Sequence, residues 1–300
     1  MKFTKLFATA ALATAAIFPA RAAEWQDDFP SVGYGVQSVE SQGAALTRYA
    51  DFAPYVKDKL GAKLDVYLAS QYAGVIQALL GDQIEFMHMG ASGYAAAYLE
   101  SDGNVKPLVT PKNPDGSIGY HSVLLVRADS EYKSLEDLKG ATFAWADPNS
   151  TSGYLMPNSS LRSQGLIPEE HFGQVVFSGG HEQSVIGLMD GTYDAVVTWT
   201  NDPETHTRGG IHMMLQRGVI EKSDFRVLWS SPPIPNPVVA ARADLPQDLV
   251  EDFQTMLLNL KENNEEIFRQ VARGKSPGFQ KVTQKDYAPI VEMRRQMDEW

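Results

Sequence analysis

Cysteine is absent from the 300-residue chain, which rules out disulfide scaffolds, thiol nucleophiles and cysteine-ligated zinc or iron–sulfur centres. Cations are scarce: 26 Lys and Arg stand against 37 Asp and Glu, for a formal charge of −11. Phosphate-backbone binding needs clustered Lys and Arg, so no nucleic-acid partner is expected. Beyond the N-terminus no apolar run approaches the roughly 20 residues that cross a bilayer. Enzyme signatures are missing too. There is no Gly-x-Ser-x-Gly elbow, no His-Glu-x-x-His and no Gly-Lys-Ser/Thr phosphate loop, and Gly33-Tyr34-Gly35 lacks the third glycine of a dinucleotide fingerprint. The six histidines, at 88, 121, 171, 181, 206 and 212, form no i, i+4 pair, so neither metal nor cofactor is expected. No repeat or low-complexity stretch interrupts the chain.

What is present begins with a targeting segment. Lys2 and Lys5 precede the apolar stretch Leu6 to Phe18, and Ala20-Arg21-Ala22 is a small-x-small cleavage site. Residues 1–22 read as a secretory signal peptide; the apolar stretch is too short for a membrane span, and no cysteine follows for lipidation. The mature chain is expected to be a free, soluble, exported protein, most simply periplasmic, and monomeric.

From Pro30 to Arg242 short strand-type runs alternate with helix-type segments. Val32 to Val36, Leu64 to Leu68, Ile84 to His88 and Val105 to Val109 form a first series, with helices predicted over Ala44 to Leu60 and Tyr72 to Leu80. In the latter, Tyr72, Val75, Ile76, Leu79 and Leu80 share one face, and Gly81 is placed at the position that ends the helix in the left-handed region. A second series contains strands Phe143 to Ala146, Val175 to Phe177, Asp194 to Trp199 and Arg226 to Trp229, with helices at Leu135 to Leu138, Ser152 to Gln164 and Glu182 to Asp190. Ser122 to Arg127 and Val238 to Arg242 bracket it as crossover strands, and Leu249, Phe253, Met256, Leu257 and Leu260 form a core stripe beyond them. The expected fold is therefore α/β. Two lobes, residues 23–125 with 232–300 and residues 126–231, are joined by two crossover strands and leave an interlobe cleft at the strand ends.

One segment carries the strongest chemical signal. Asp147-Pro148-Asn149-Ser150-Thr151-Ser152-Gly153 lies between a strand and a helix-type run, so Ser150, Thr151 and Ser152 fall where helix N–H groups are unpaired. Hydroxyls and amides converging there make an anion socket assisted by the helix dipole, with no Lys or Arg from 141 to 161. The plainer alternative is an N-cap and a polar turn. Pro157 inside the run indicates a kink or a later helix start. His181 in Ser178-Gly179-Gly180-His181-Glu182 repeats the strand–turn–helix pattern and is either a second anion donor or a structural hydrogen-bonding group. Gly90-Ala91-Ser92-Gly93 offers a further helix N-terminus. A Ser–His–acid triad, for example Ser152 with His181, would make the chain a secreted phosphoesterase or phosphonatase instead.

Ser70-Gln71-Tyr72-Ala73-Gly74-Val75, Gly119-Tyr120-His121-Ser122, the 147–153 element, Gly180-His181-Glu182 and Ser231-Pro232-Pro233-Ile234-Pro235 together resemble the periplasmic phosphonate-binding proteins of ABC importers. The resemblance spans nearly the whole mature chain. It implies a type II periplasmic binding protein that captures a phosphonate, 2-aminoethylphosphonate or a related alkylphosphonate, and passes it to an inner-membrane permease. Phosphate, phosphite or methylphosphonate are the alternatives within the same class. The resemblance assigns the phosphonate group to Ser150, Thr151, Ser152 and His181, with Tyr72 and Tyr120 donating from the opposite lobe. Members that take an aminophosphonate surround its ammonium with carboxylates. The matching positions here are Asn201 or Asp202, with Glu204 nearby, and Asn236, so at most one acid faces an amine. A solvated loop is the alternative for Asp202 and Glu204, and Trp199 then forms an apolar or cation–π wall.

Overall fold

The structure, a computed structural model, describes residues 25–37 and 42–297. The expected signal peptide lies outside the described residues.

Among the described residues twelve strands build two mixed sheets: β1 (Ser31–Gln37), β2 (Lys63–Ala69), β3 (Phe86–Met89), β4 (Val105–Pro111), β5 (Gly119–Arg127), β6 (Thr142–Trp145), β7 (Gln174–Phe177), β8 (Ala195–Thr200), β9 (Phe225–Ser230), β10 (Ile234–Pro235), β11 (Val238–Arg242) and β12 (Phe279–Lys281). The first sheet runs β12-β4-β11-β3-β1-β2 and the second β10-β5-β8-β6-β7, with β9 also on β5. β1, β2 and β3 are parallel neighbours, as are β6, β7 and β8, whereas β11 and β5 are antiparallel additions. Six of the seven residues of β1 and all six of β8 are buried, so both faces of each strand are covered; that is why these strands read as unbroken apolar runs.

Every strand run read from the sequence is a strand, with ends shifted by no more than two residues except at β5, which begins three residues before Ser122. The helix over Ala44 to Leu60 is two helices, Gln42–Tyr49 and Phe52–Leu60, parted at Ala50 and Asp51. Tyr72–Leu80 keeps its bounds, but Gly81 has φ −91° and Asp82 takes the left-handed conformation at φ 55°. The helix ends with its carbonyls capped by the Gly81 amide, and the reversal falls one residue later. Leu249, Phe253, Met256, Leu257 and Leu260 are buried as expected, and Phe253 stacks on Phe86 with centroids 3.9 Å apart.

The chain leaves the first sheet after Pro111, enters the second at Gly119, and returns between Pro235 and Val238. The crossings thus fall at 112–118 and 236–237, whereas the boundaries read from the sequence are 125/126 and 231/232; the first of these lies inside β5, which is paired along its length with β8 and β9. Asn236 ties the two crossings together. Its Nδ2 donates to Pro111 O at 2.8 Å, and its amide donates to Ile118 O at 2.6 Å. One apolar cluster runs through the crevice, joining Tyr72, Tyr94 and Tyr287 of the first lobe to Leu155, Met156, Trp199 and Met213 of the second.

Candidate functional site

The turn that follows β6 is shaped by its own side chains. Asp147 Oδ1 accepts the Asn149 amide at 2.7 Å, and Ser150 N–H donates to Asp147 O at 2.9 Å, which reverses the chain and presents Ser150. Ser150 Oγ then accepts the Gly153 amide at 2.9 Å as an N-cap. The expected helix from Ser152 does not start there. Residues Thr151–Leu155 form a wide π-type turn closed by Leu155 N–H on Ser150 O at 3.0 Å, and the α-helix is Met156–Ser163. Pro157 accounts for the late start: without an N–H it is tolerated only in a first turn, which is where it sits.

Six of the predicted residues meet at this turn, all with side chains buried: Tyr72, Tyr120, Ser150, Thr151, Ser152 and His181. Ser150 Oγ lies 3.1 Å from His181 Nε2 and 3.5 Å from the Tyr72 hydroxyl. Thr151 Oγ1 accepts the Ser92 amide at 2.7 Å, so the N-terminus of helix Ala91–Glu100 faces the socket from the first lobe. The Ser152 and Thr151 hydroxyls act on the Tyr120 phenol, lowering its pKa against the larger effect of burial. Tyr72 reaches in from the first lobe, but Tyr120 does not oppose the turn from across the crevice. It stands on β5, in the sheet that also carries β6. Backbone has to pass closely here, and Gly153 is required: a Cβ on it would lie 2.5 Å from Ala146 Cβ and 2.7 Å from Ser150 Oγ.

Burial decides the protonation of the donors. It lowers the His181 imidazole to about 3, with the Arg273 charge adding to the effect, so the ring is neutral. Burial pushes the Tyr120 phenol up to about 12 and raises Tyr72 further, against a lowering hydrogen bond from Ser150. All three are neutral groups at physiological pH, and the phenols are permanent O–H donors.

A nucleophilic triad is not assembled. The serine beside His181 is Ser150 rather than Ser152, and the other ring nitrogen faces Thr198 Oγ1 at 3.4 Å instead of a carboxylate. A histidine held at about 3 is also a weak base.

Asn201 and Asp202 lie apart from the socket. Asp202 Oδ1 accepts the Glu204 and Thr205 amides at 2.8 and 3.2 Å, and Asn201 accepts the Arg208 amide at 2.7 Å while donating to Thr207 at 3.0 Å. Both line a separate cavity of about 520 Å³ with Asn113 and His121. Glu204 is exposed, and Trp199 packs edge-on against Tyr120 with centroids 5.3 Å apart. Sequence reasoning missed Thr198, Ser122 and Arg294. Ser122 Oγ donates to Ser152 O at 2.6 Å; Arg294 bonds Ser92 Oγ at 3.0 Å and also Asn149, tying the last helix to both sides of the crevice. A hydroxyl inside an otherwise apolar strand, as at Thr198 and Ser122, is the one available signal; Arg294 offers none.

Two α/β lobes enclosing a polar turn between them define the architecture of a solute-binding protein of the type II periplasmic class. Residues 34–287 match the family described as "ABC transporter, phosphonate, periplasmic substrate-binding protein", and the chain belongs to that family. Its members bind and deliver a solute and are not enzymes. The chain is 29% identical over 271 residues to the phosphonates-binding periplasmic protein of Escherichia coli (strain K12), covering 89% of this chain and 75% of that one. It is 27% identical over 233 residues to the phosphate-import protein PhnD of Mycolicibacterium smegmatis, covering 73% and 70% of the two chains. The structure of PhnD1 from Prochlorococcus marinus in complex with methylphosphonate superimposes with a TM-score of 0.77 at 20% identity, over 90% of this chain and 100% of that one.

Proposed function

We propose that this chain captures a phosphonate, or a phosphorus oxyanion of that class, in the periplasm and hands it to an inner-membrane ABC permease. One observation carries the reading. The Tyr72 hydroxyl, the Ser92 amide and the His181 ring, from both lobes, converge on the residues from 150 to 152. Tyr72, Tyr120, Ser150, Thr151, Ser152 and His181 are the proposed contacts to the anionic oxygens. A tetrahedral oxyanion accepts many short donors at once, and each hydrogen bond to a charged acceptor contributes about 1.5–3 kcal/mol. An anion bridging Tyr72 and the Ser92 helix to the 150–152 turn stabilises closure, with the lobes swinging about the crossings at 112–118 and 236–237. The names of the relatives, which include phosphonate, phosphate and methylphosphonate, support the class of ligand. Export through cleavage of residues 1–22 and action as a monomer belong to the same proposal.

Calorimetric titration with methylphosphonate, phosphate, phosphite and 2-aminoethylphosphonate tests it. At least one binds at micromolar concentration or tighter, and failure of all four removes the reading.

A further inference from the structure

A second group of buried polar side chains stands in the same crevice, and the phosphonate socket does not use it. Arg208, from the second lobe, is 1% exposed; Arg273, from the end of helix Glu265–Val271 in the first, is 6% exposed. Arg208 Nη1 donates to Asn113 Oδ1 at 2.8 Å and its Nη2 reaches Ala272 O at 3.4 Å, while Arg273 Nη2 donates to Gln37 O at 2.8 Å. Among the described residues neither guanidinium is ion-paired, and Arg208 Nε has no partner. Three neighbouring groups are buried and unpartnered as well: the Tyr34 and Tyr49 hydroxyls and His88 Nδ1, whose rings lie 6.2 Å (Tyr34–Tyr49) and 6.5 Å (Tyr34–His88) apart.

These groups belong together. The Arg273 charge opposes the upward shift of Tyr34 and adds to the lowering of His88 and Arg208, and it acts in the same directions on Tyr72 and His181 of the socket. His88 lies in β3, which runs directly into the Gly90–Ser92 turn that supplies the socket's Ser92 amide, and Gln37 ends the neighbouring β1, at the carboxyl edge where open α/β sheets take ligands. Arg273 also lines a cavity of about 630 Å³ shared by both lobes.

Two like-charged guanidiniums, taken from water and left without a counter-ion, repel each other and forfeit their hydration. The Tyr34 and Tyr49 hydroxyls, buried without a partner, add to the deficit. An anion meets both requirements, and planar guanidiniums pair best with a carboxylate. An ammonium there would face two cations.

We infer that the far end of the ligand is anionic, and that Arg208, Arg273, His88 and Tyr34 select phosphonates bearing a terminal carboxylate. This rests on the phosphonate reading of the socket and specifies its substrate class.

Titration calorimetry at pH 7.5 with methylphosphonate, 3-phosphonopropionate, 4-phosphonobutyrate and 2-aminoethylphosphonate separates the outcomes. One of the carboxylates is expected to bind on the order of 10- to 100-fold more tightly than methylphosphonate and the amine. In Arg208→Gln and Arg273→Gln, the ratio of carboxylate to methylphosphonate affinity falls toward one. The wild-type comparison stands even if a variant misfolds. Methylphosphonate binding without preference for either carboxylate overturns this inference alone, as does tighter binding of 2-aminoethylphosphonate that is lost in Asp202→Ala. Failure of every phosphonate overturns the socket reading with it.

Discussion

Replacing Tyr72 by Phe removes one oxygen and leaves the ring in place. The ring is buried in the cluster that crosses the crevice, so packing is unchanged, whereas an alanine would open a cavity and confuse folding with binding. The hydroxyl's bond in the fold is long: 3.5 Å to Ser150 Oγ, against about 2.7–2.8 Å for a good O–H···O bond. Its loss should cost the fold less than about 1 kcal/mol, a fall of no more than roughly 4 °C in a domain of this size. A phenol donating to an anionic oxygen is a different case, worth about 1.5–3 kcal/mol, so the dissociation constant for methylphosphonate should rise roughly 10- to 150-fold. Calorimetry and a thermal melt on the same sample read both quantities. An affinity within twofold of wild type would place the ligand away from Tyr72 and refute the reasoning.

Ser150→Ala should behave in the opposite proportion. It deletes the N-cap on Gly153 and strands His181 Nε2, so a loss of roughly 2–3 kcal/mol and a melting temperature lower by about 4–10 °C accompany the weakened binding. Acid sensitivity follows from His181: its pKa is about 3 in the fold and near 6.5 unfolded, so its stability contribution is complete above pH 6.5 and is lost as pH falls toward 3. At pH 5 the loss is about 2 kcal/mol, and His181→Gln should flatten this part of the acid limb in urea titrations at pH 7 and 5; an unchanged limb contradicts the burial argument. Gly153→Ala should cost about 1–3 kcal/mol by overpacking against Ala146, whereas Gly90→Ala, whose Cβ would sit 3.1 Å from Thr151 Oγ1, should lower affinity with little change in the melt.

Strands and sockets were legible in the sequence for the same reason: each is a local pattern. β1 and β8 showed as apolar runs because they are covered on both faces, and the 147–153 turn showed because a strand end, an Asx residue and three hydroxyls fall in consecutive positions. What stayed hidden depends on partners distant in the chain. Arg208 meets Asn113 and Ala272, and Arg294 meets Asn149, contacts across 95, 64 and 145 residues that no periodicity reports. The π-type turn was half visible: Pro157 announced that the helix could not begin normally, but only the Leu155 to Ser150 bond says how the chain accommodates it. Asp202 shows how local the carboxylate's role can be: its Oδ1 accepts two amides of its own loop, apart from the 150–152 turn.

The placement of charge explains how an acidic protein can hold an anion. Every side chain that meets at residues 150–152 is neutral: phenols raised by burial, an imidazole held near 3, and hydroxyls. Neutral donors discriminate by geometry and count, since each must find an acceptor when water is excluded, and they impose no penalty on closure before a ligand arrives. Arg208 and Arg273 make no hydrogen bond to the 150–152 residues, while Arg294 reaches the crevice through Ser92 Oγ and Asn149. On the proposed reading, the socket recognises the phosphorus group while the arginines read the remainder of the molecule.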